Sequence, residues 1–434
     1  MNRSGCLKDK TRGNEGNPCL PGGLIPVEQW TLPEASVRRS LKDAVRHALT
    51  QLKAASRAEE PFESMDELPE LSAGQQRRLA PEPDYARQAE AIACNLQHAR
   101  SEGAHRRKVT CLVAPPFSGL QQALGRLSQS GQSVLNDNGA VWTVITPPET
   151  LLFSEQEAKA WWDKQDVSRP WVIPELADFW LRCLPGLVLV RELFRRIASD
   201  AVGPGIVGCS SWCWRYWEHY LEGTHMSPWT PAPLDSERLG QWLTYLASGH
   251  DRAPVIARMA DDGLYVLPVA EADGTGKNKR QKKRKHSSFL RDLAGESRGN
   301  PGVALAIWQR SLRARPEEDA KPDEDDEKSG RQSRSVDCWV VPLERLSLPT
   351  LPQSKTSVMG FVLHGLLLHN GLDVASLEVV TGVPAYELSL VLSRLERAEI
   401  VRCDQVDERW HLTPIGYPTV RRHLQSWGFP VDPF

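Results

Sequence analysis

Residues Val109 to Leu120 constrain this chain most. Val109, Cys111, Leu112, Val113 and Ala114 form a compact apolar run that meets Pro115-Pro116, then Phe117, Ser118 and Gly119. The run reads as a buried strand entering a turn, followed by a helix from Gln121 to Gly131. A loop of the pattern G-x-x-x-x-G-K-[S/T] in this position cradles phosphates with backbone N–H groups, a lysine and a metal-binding hydroxyl. Laid over that pattern, Ala114 stands at the first glycine and Gly119 at the second. Leu120 falls where lysine belongs, Gln121 falls where the hydroxyl belongs, and Phe117 adds bulk where backbone must approach phosphate. A strand stopped by Pro115-Pro116 gives the same outline with no ligand at all, because proline fixes φ and extends the residue before it.

On both sides of this loop, strand and helix signals alternate. Ala140–Ile145, Trp171–Glu175 and Gly205–Ser211 read as strands; Tyr85–Gly103, Glu155–Trp162 and Leu187–Ala198 read as helices. Such alternation calls for a parallel sheet in an α/β fold. Glu34–Ala55 carries Val37, Leu41, Val45, Leu49 and Leu52 at helical spacing and is expected to be an amphipathic helix. Near the end, Val358–His369, Val374–Thr381 and Ala385–Glu399 read as three helices, and Ile400–Cys403 and Arg409–Leu412 as a hairpin, which together describe a winged helix-turn-helix.

Composition excludes several classes. With 434 residues, 40% hydrophobic and 25% charged, the chain is long enough for two or three globular domains. A net charge of −2 gives no overall pull toward nucleic acid or anionic membrane. No apolar run approaches the roughly 20 residues needed to cross a bilayer, so a soluble cytoplasmic protein without a membrane span is expected. The 9 cysteines show no CxxC pairing, which argues against a zinc or disulfide framework; Cys209 and Cys213 are read as buried structural thiols. The 15 tryptophans point to large packed cores and interfaces.

In order and context the chain resembles the AAA+ branch of P-loop ATPases, in the style of origin-recognition proteins, from about Val109 to Phe434. The resemblance implies a P-loop NTPase-like parallel sheet, a helical lid and a C-terminal winged helix. Trp171–Asp178 takes the place of the strand ending in the metal-binding acidic pair, with Pro174 at its first acidic position and Glu175 left as the acidic remnant and only base. Ser210 or Ser211 would be the polar sensor, and Gly299-Asn300-Pro301 would open the lid helix, Asn300 capping it. Pro116, Ser118, Gly119 and Gln121 are the remnant of a nucleotide site, allowing at most weak ATP or ADP binding at a helix start. No catalytic residue, resident cofactor or metal is expected, since the lysine, the hydroxyl and one carboxylate are missing together. Activity would require a Lys or Arg reaching the loop from elsewhere in the chain or from a neighbouring subunit.

The chain accordingly divides into segments 1–83 (tail and helix), 84–270 (degenerate core), 271–354 (charged linkers and lid helix) and 355–434 (winged helix). The basic run Lys277, Lys279, Arg280, Lys282, Lys283, Arg284 and Lys285 is the one strong candidate for phosphate contact, with acidic runs over 317–319 and 323–327 nearby. Arg394 and Arg397 lie among Glu387, Glu396 and Glu399, so the winged helix is expected to dock protein. The expected function is a catalytically degenerate ATPase-fold regulator or scaffold with an unknown protein partner, the alternative being a DNA-associated protein using the basic loop. An oligomer is compatible with either.

Overall fold

The computed structural model describes residues 17–34, 68–101, 108–130, 142–220, 227–248, 255–268, 285–314, 336–353 and 357–434. The helix expected over 34–55 lies outside these residues from 35 onward, as do the acidic runs. The chain divides into two compact units, one of Met1–Thr31, Asp84–Pro233 and Leu348–Phe434, the other of Leu32–Pro83 and Leu234–Ser347.

In the first unit the chain runs β1 (Leu24–Pro26), α1 (Tyr85–Ser101), β2 (Val109–Ala114), α2 (Leu120–Ser130), β3 (Thr143–Val144), α3 (Glu155–Asp163), β4 (Trp171–Ile173), α4 (Val188–Ala198), β5 (Gly205–Ser210), α5 (Ser211–Trp217) and β6 (Trp229–Pro231). The strands form one six-stranded sheet in the order β1-β6-β2-β5-β4-β3. All neighbours are parallel except β1, which runs antiparallel to β6 along one edge. Every residue of β2 and of β5 is buried, which is why both segments read as apolar runs rather than as alternating patterns. Val109, Cys111 and Val113 face one side with Ile173, Val207 and Cys209, while Leu112 and Ala114 face the other with Val172 and Ile206. The register sets Gly205 opposite both Val109 and Trp171; a Cβ on Gly205 would meet the Trp171 ring at 2.4 Å, so only glycine fits there.

From β2 the chain crosses to β3 at the far edge, steps back through β4 and β5, then passes β2 to reach β6. Right-handed crossovers therefore send α2 over one face and α3, α4 and α5 over the other. The connections leaving neighbours β2 and β5 diverge, which opens the crevice at their carboxyl ends where open α/β sheets bind ligands. Beneath it the tryptophans fill the core: Trp162, Trp171, Trp180 and Trp217 are all fully buried, and the Trp162 Nε1–H donates to the Leu189 carbonyl at 2.9 Å.

The C-terminal part of this unit contains α6 (Val358–Leu368), α7 (Val374–Thr381), α8 (Ala385–Arg397), the hairpin β7–β8 (Val401–Cys403, Trp410–Leu412) and α9 (Tyr417–Ser426). Asp373 caps α7, its carboxylate accepting from Ser376 N at 2.8 Å, and Leu388, Leu392 and Leu395 are the buried stripe of α8. Beyond α9, Phe434 is buried against Trp30, with ring centroids 5.1 Å apart. Buried Asp432 accepts from Arg421 Nε at 3.2 Å and from the Ser211 hydroxyl. These contacts make one body of the sheet and the C-terminal helices.

The second unit contains helices Ala73–Leu79, Ser236–Ser248, Phe289–Glu296 and Pro301–Ser311, and a three-stranded sheet in which Val336–Val340 lies between Val255–Met259 and Leu312–Arg313. Asn300 caps the Pro301 helix by accepting from Gly302 N and Val303 N at 3.1 and 3.3 Å. The division at 234 and 348 differs from the sequence segments at 270 and 354: the strand Val255–Met259 pairs with Val336–Val340, joining residues on both sides of the charged stretch.

Candidate functional site

The turn between β2 and α2 lies at the sheet's crevice. Ser118 N donates to the Pro115 carbonyl at 3.3 Å, and both Phe117 (φ 67°) and Gly119 (φ 82°) take left-handed backbone. That conformation costs a bulky residue such as Phe117 on the order of 1–2 kcal/mol. Its ring meets Tyr417 of α9 edge to face, with centroids 5.7 Å apart, a contact worth about 0.5–1.5 kcal/mol beyond buried area. A Cβ on Gly119 would stand 3.0 Å from both Gln88 Oε1 and the Tyr85 ring. Gly119→Ala is therefore expected to destabilise by about 1–3 kcal/mol, measured as a lower urea midpoint with unchanged slope.

The residues singled out in the sequence sit together here, but each is engaged by the protein itself. Pro116 and Ser118 are buried, and Ser118 Oγ accepts from Leu120 N at 3.3 Å, so one donor at the helix start is already bonded. Leu120 points into the core with Ala123 and Leu124, where a lysine would be buried without a partner. Gln121 Nε2 donates to Asp178 Oδ2 at 3.1 Å, while its Oε1 accepts from Asn370 Nδ2 at 2.8 Å. On the other side of Asp178, Arg409 Nη1 donates to Oδ1 at 3.1 Å, and Arg409 Nη2 donates to the carbonyls of Gly371 at 2.6 Å and His369 at 3.3 Å. Asn370 and Arg409 both come from the C-terminal helices and hairpin. The guanidinium of Arg409 is thus bound to a carboxylate and two carbonyls, and is linked to Gln121 through Asp178.

Burial raises the Asp178 carboxyl above its ordinary range, and Arg409 opposes that rise without cancelling it. Glu175 is 6% exposed and turned into the sheet, its Oε1 accepting from Ala177 N at 3.0 Å and Ser210 N at 2.9 Å. Burial pushes its carboxyl up to about 7, with the neighbouring Asp178 adding to the rise. The two sensor candidates have structural partners: Ser210 Oγ caps α5 by accepting from Cys213 N, and Ser211 donates to Asp432. His364 and His369 are buried where the end of α6 meets the core; the His369 ring stands 4.5 Å from that of Trp180.

Of the basic run, Lys277, Lys279, Arg280, Lys282, Lys283 and Arg284 lie outside the described residues. Lys285 is described, and its carbonyl accepts from Tyr265 N at 3.2 Å. Sequence reasoning missed Asp178, Asn370, Arg409 and Tyr417. Asp178 alone had a local signal, lying three residues after Glu175 in the acidic stretch; the others are ordinary polar or aromatic residues of a distant segment. No protein family matches the chain, and no curated protein matches its sequence.

Proposed function

We propose that this chain is a catalytically degenerate AAA+-like ATPase fold that works as a scaffold, its winged-helix-type C-terminal segment serving as an internal brace over the former phosphate loop. One observation carries this reading: Gln121, at the position where a phosphate loop holds its metal-binding hydroxyl, joins Asp178 to Asn370. Side chains that would surround a triphosphate and its cation instead hydrogen-bond one another across the core and the C-terminal helices. Parallel strands with a crevice between β2 and β5 support the ancestry, and the leucine at the lysine position supports the loss of phosphoryl transfer. Such a body keeps its shape without nucleotide and offers its outer surfaces to protein partners.

Saturating Mg²⁺-ATP or Mg²⁺-ADP is accordingly expected to leave the unfolding temperature of the full chain unchanged. A nucleotide present at a hundred times its dissociation constant would stabilise by about 2.7 kcal/mol, a readily measured shift. Such a shift, abolished by Gly119→Pro, would overturn the proposal. A salt-sensitive gel shift with duplex DNA that disappears on deleting residues 277–285 would favour the DNA-associated alternative.

A further inference from the structure

We infer that Glu175, Cys209 and Cys213 form a buried site for a borderline-soft divalent cation of the zinc class. The sheet assembles these residues from three elements. Glu175 lies two residues beyond β4, Cys209 is the fifth residue of β5, and Cys213 lies in the first turn of α5. One ligand atom from each lies within 4.8 Å of the other two, and all three residues are buried. A tetrahedral zinc ion with bonds of about 2.3 Å holds two thiolates about 3.8 Å apart, so adjustments of an ångström or less close the site. Two sulfurs and one carboxylate suit zinc, while magnesium and calcium prefer oxygen alone.

The surroundings supply the outer contacts that metal ligands ordinarily have. The Trp180 indole N–H donates to Cys213 Sγ at 3.3 Å, a hydrogen bond that favours the thiolate. Ala177 N and Ser210 N both bond Glu175 Oε1 and fix the orientation of that carboxylate. Cys111 lies on the same face of the adjacent strand, within electrostatic reach of Cys213 and Glu175. Thiols must lose their protons to coordinate, so binding one cation releases the protons of Cys209 and Cys213. A site this enclosed fills while the chain folds, and the bound ion ties β4, β5 and α5 together.

The test is to unfold the full chain with chelator and reductant and refold it with one equivalent of Co²⁺. A thiolate-to-cobalt charge-transfer band at one ion per chain is expected, together with about one zinc per chain, by mass spectrometry, in protein purified without chelator. Cys209→Ser and Cys213→Ser should each remove or strongly diminish the band. Trp180→Phe should keep it and weaken Co²⁺ affinity about 10–100-fold. Far-ultraviolet circular dichroism monitors folding in each case, and the wild-type spectrum decides if a variant fails to fold. Refolded wild-type chain with native dichroism and no charge-transfer band would overturn the site, as would a band that persists undiminished in both serine variants.

Discussion

Replacing Asp178 by alanine is expected to destabilise the first unit by about 3 kcal/mol and to loosen the C-terminal helices from the sheet. The Asp178 side chain is 14% exposed, and its removal leaves the Arg409 guanidinium, itself 26% exposed, without its carboxylate. Removing one partner of a buried ion pair typically costs about 3–5 kcal/mol, because the remaining charge stays desolvated. Exposure at Arg409 places the effect at the low end of that range. Gln121 loses an acceptor at the same time. Urea unfolding measures the loss, and amide exchange should show faster opening in α6 and α7 than in β2 and β5. A double-mutant cycle with Arg409→Ala should return a coupling of about 1–3 kcal/mol. Additive effects, or exchange that rises equally in the sheet, would mean that Asp178 is only a core residue and not the joint.

Acid is the second lever, and it acts through His364 of α6 and His369, which follows that helix. Burial lowers His369 from 6.5 to about 3 and His364 to about 4, with Arg182 adding to both shifts and Arg409 to the first. Both folded values lie below the unfolded value, so the unfolded chain takes up more protons between about pH 3 and 6.5. The contribution is therefore fully present above pH 6.5 and is lost as pH falls through that window. At one unit per 1.36 kcal/mol, His369 alone should account for about 3 kcal/mol by pH 4. Comparison with His369→Phe isolates the histidine. The variant should match wild type at pH 7 to within about 1 kcal/mol and outlast it in urea at pH 4.5. Parallel pH profiles for the two proteins would sink this account.

The sheet and the joint over it differ in how far the chain announces them. Residues 109–114 are legible because a strand buried on both faces must be apolar throughout, the helix over 188–198 because its apolar spacing is local, and the helix over 374–381 because its Asp373 cap is local. Asn300 with Pro301 is legible for the same reason, since a cap and the donors it satisfies are adjacent. The edge strand β1 and its neighbour β6 escaped because three residues carry almost no pattern. Helix α9 escaped because Pro418 and its polar residues mask a thin apolar stripe of Tyr417, Val420 and Leu424.

By itself the sequence determined that the chain builds a layered α/β core and that the loop after β2 lacks a lysine and a metal-holding hydroxyl. Both are properties of side chains taken one segment at a time. Only the tertiary structure decided which side chains meet beside that loop. Arg409 is 231 residues from Asp178, and Asn370 is 249 from Gln121. Glu175 meets Cys209 and Cys213 only because β4 and β5 lie side by side. Hydrogen bonds and ligand sets of this kind depend on positions a few ångströms apart in space, and nothing in the spacing along the chain encodes that proximity.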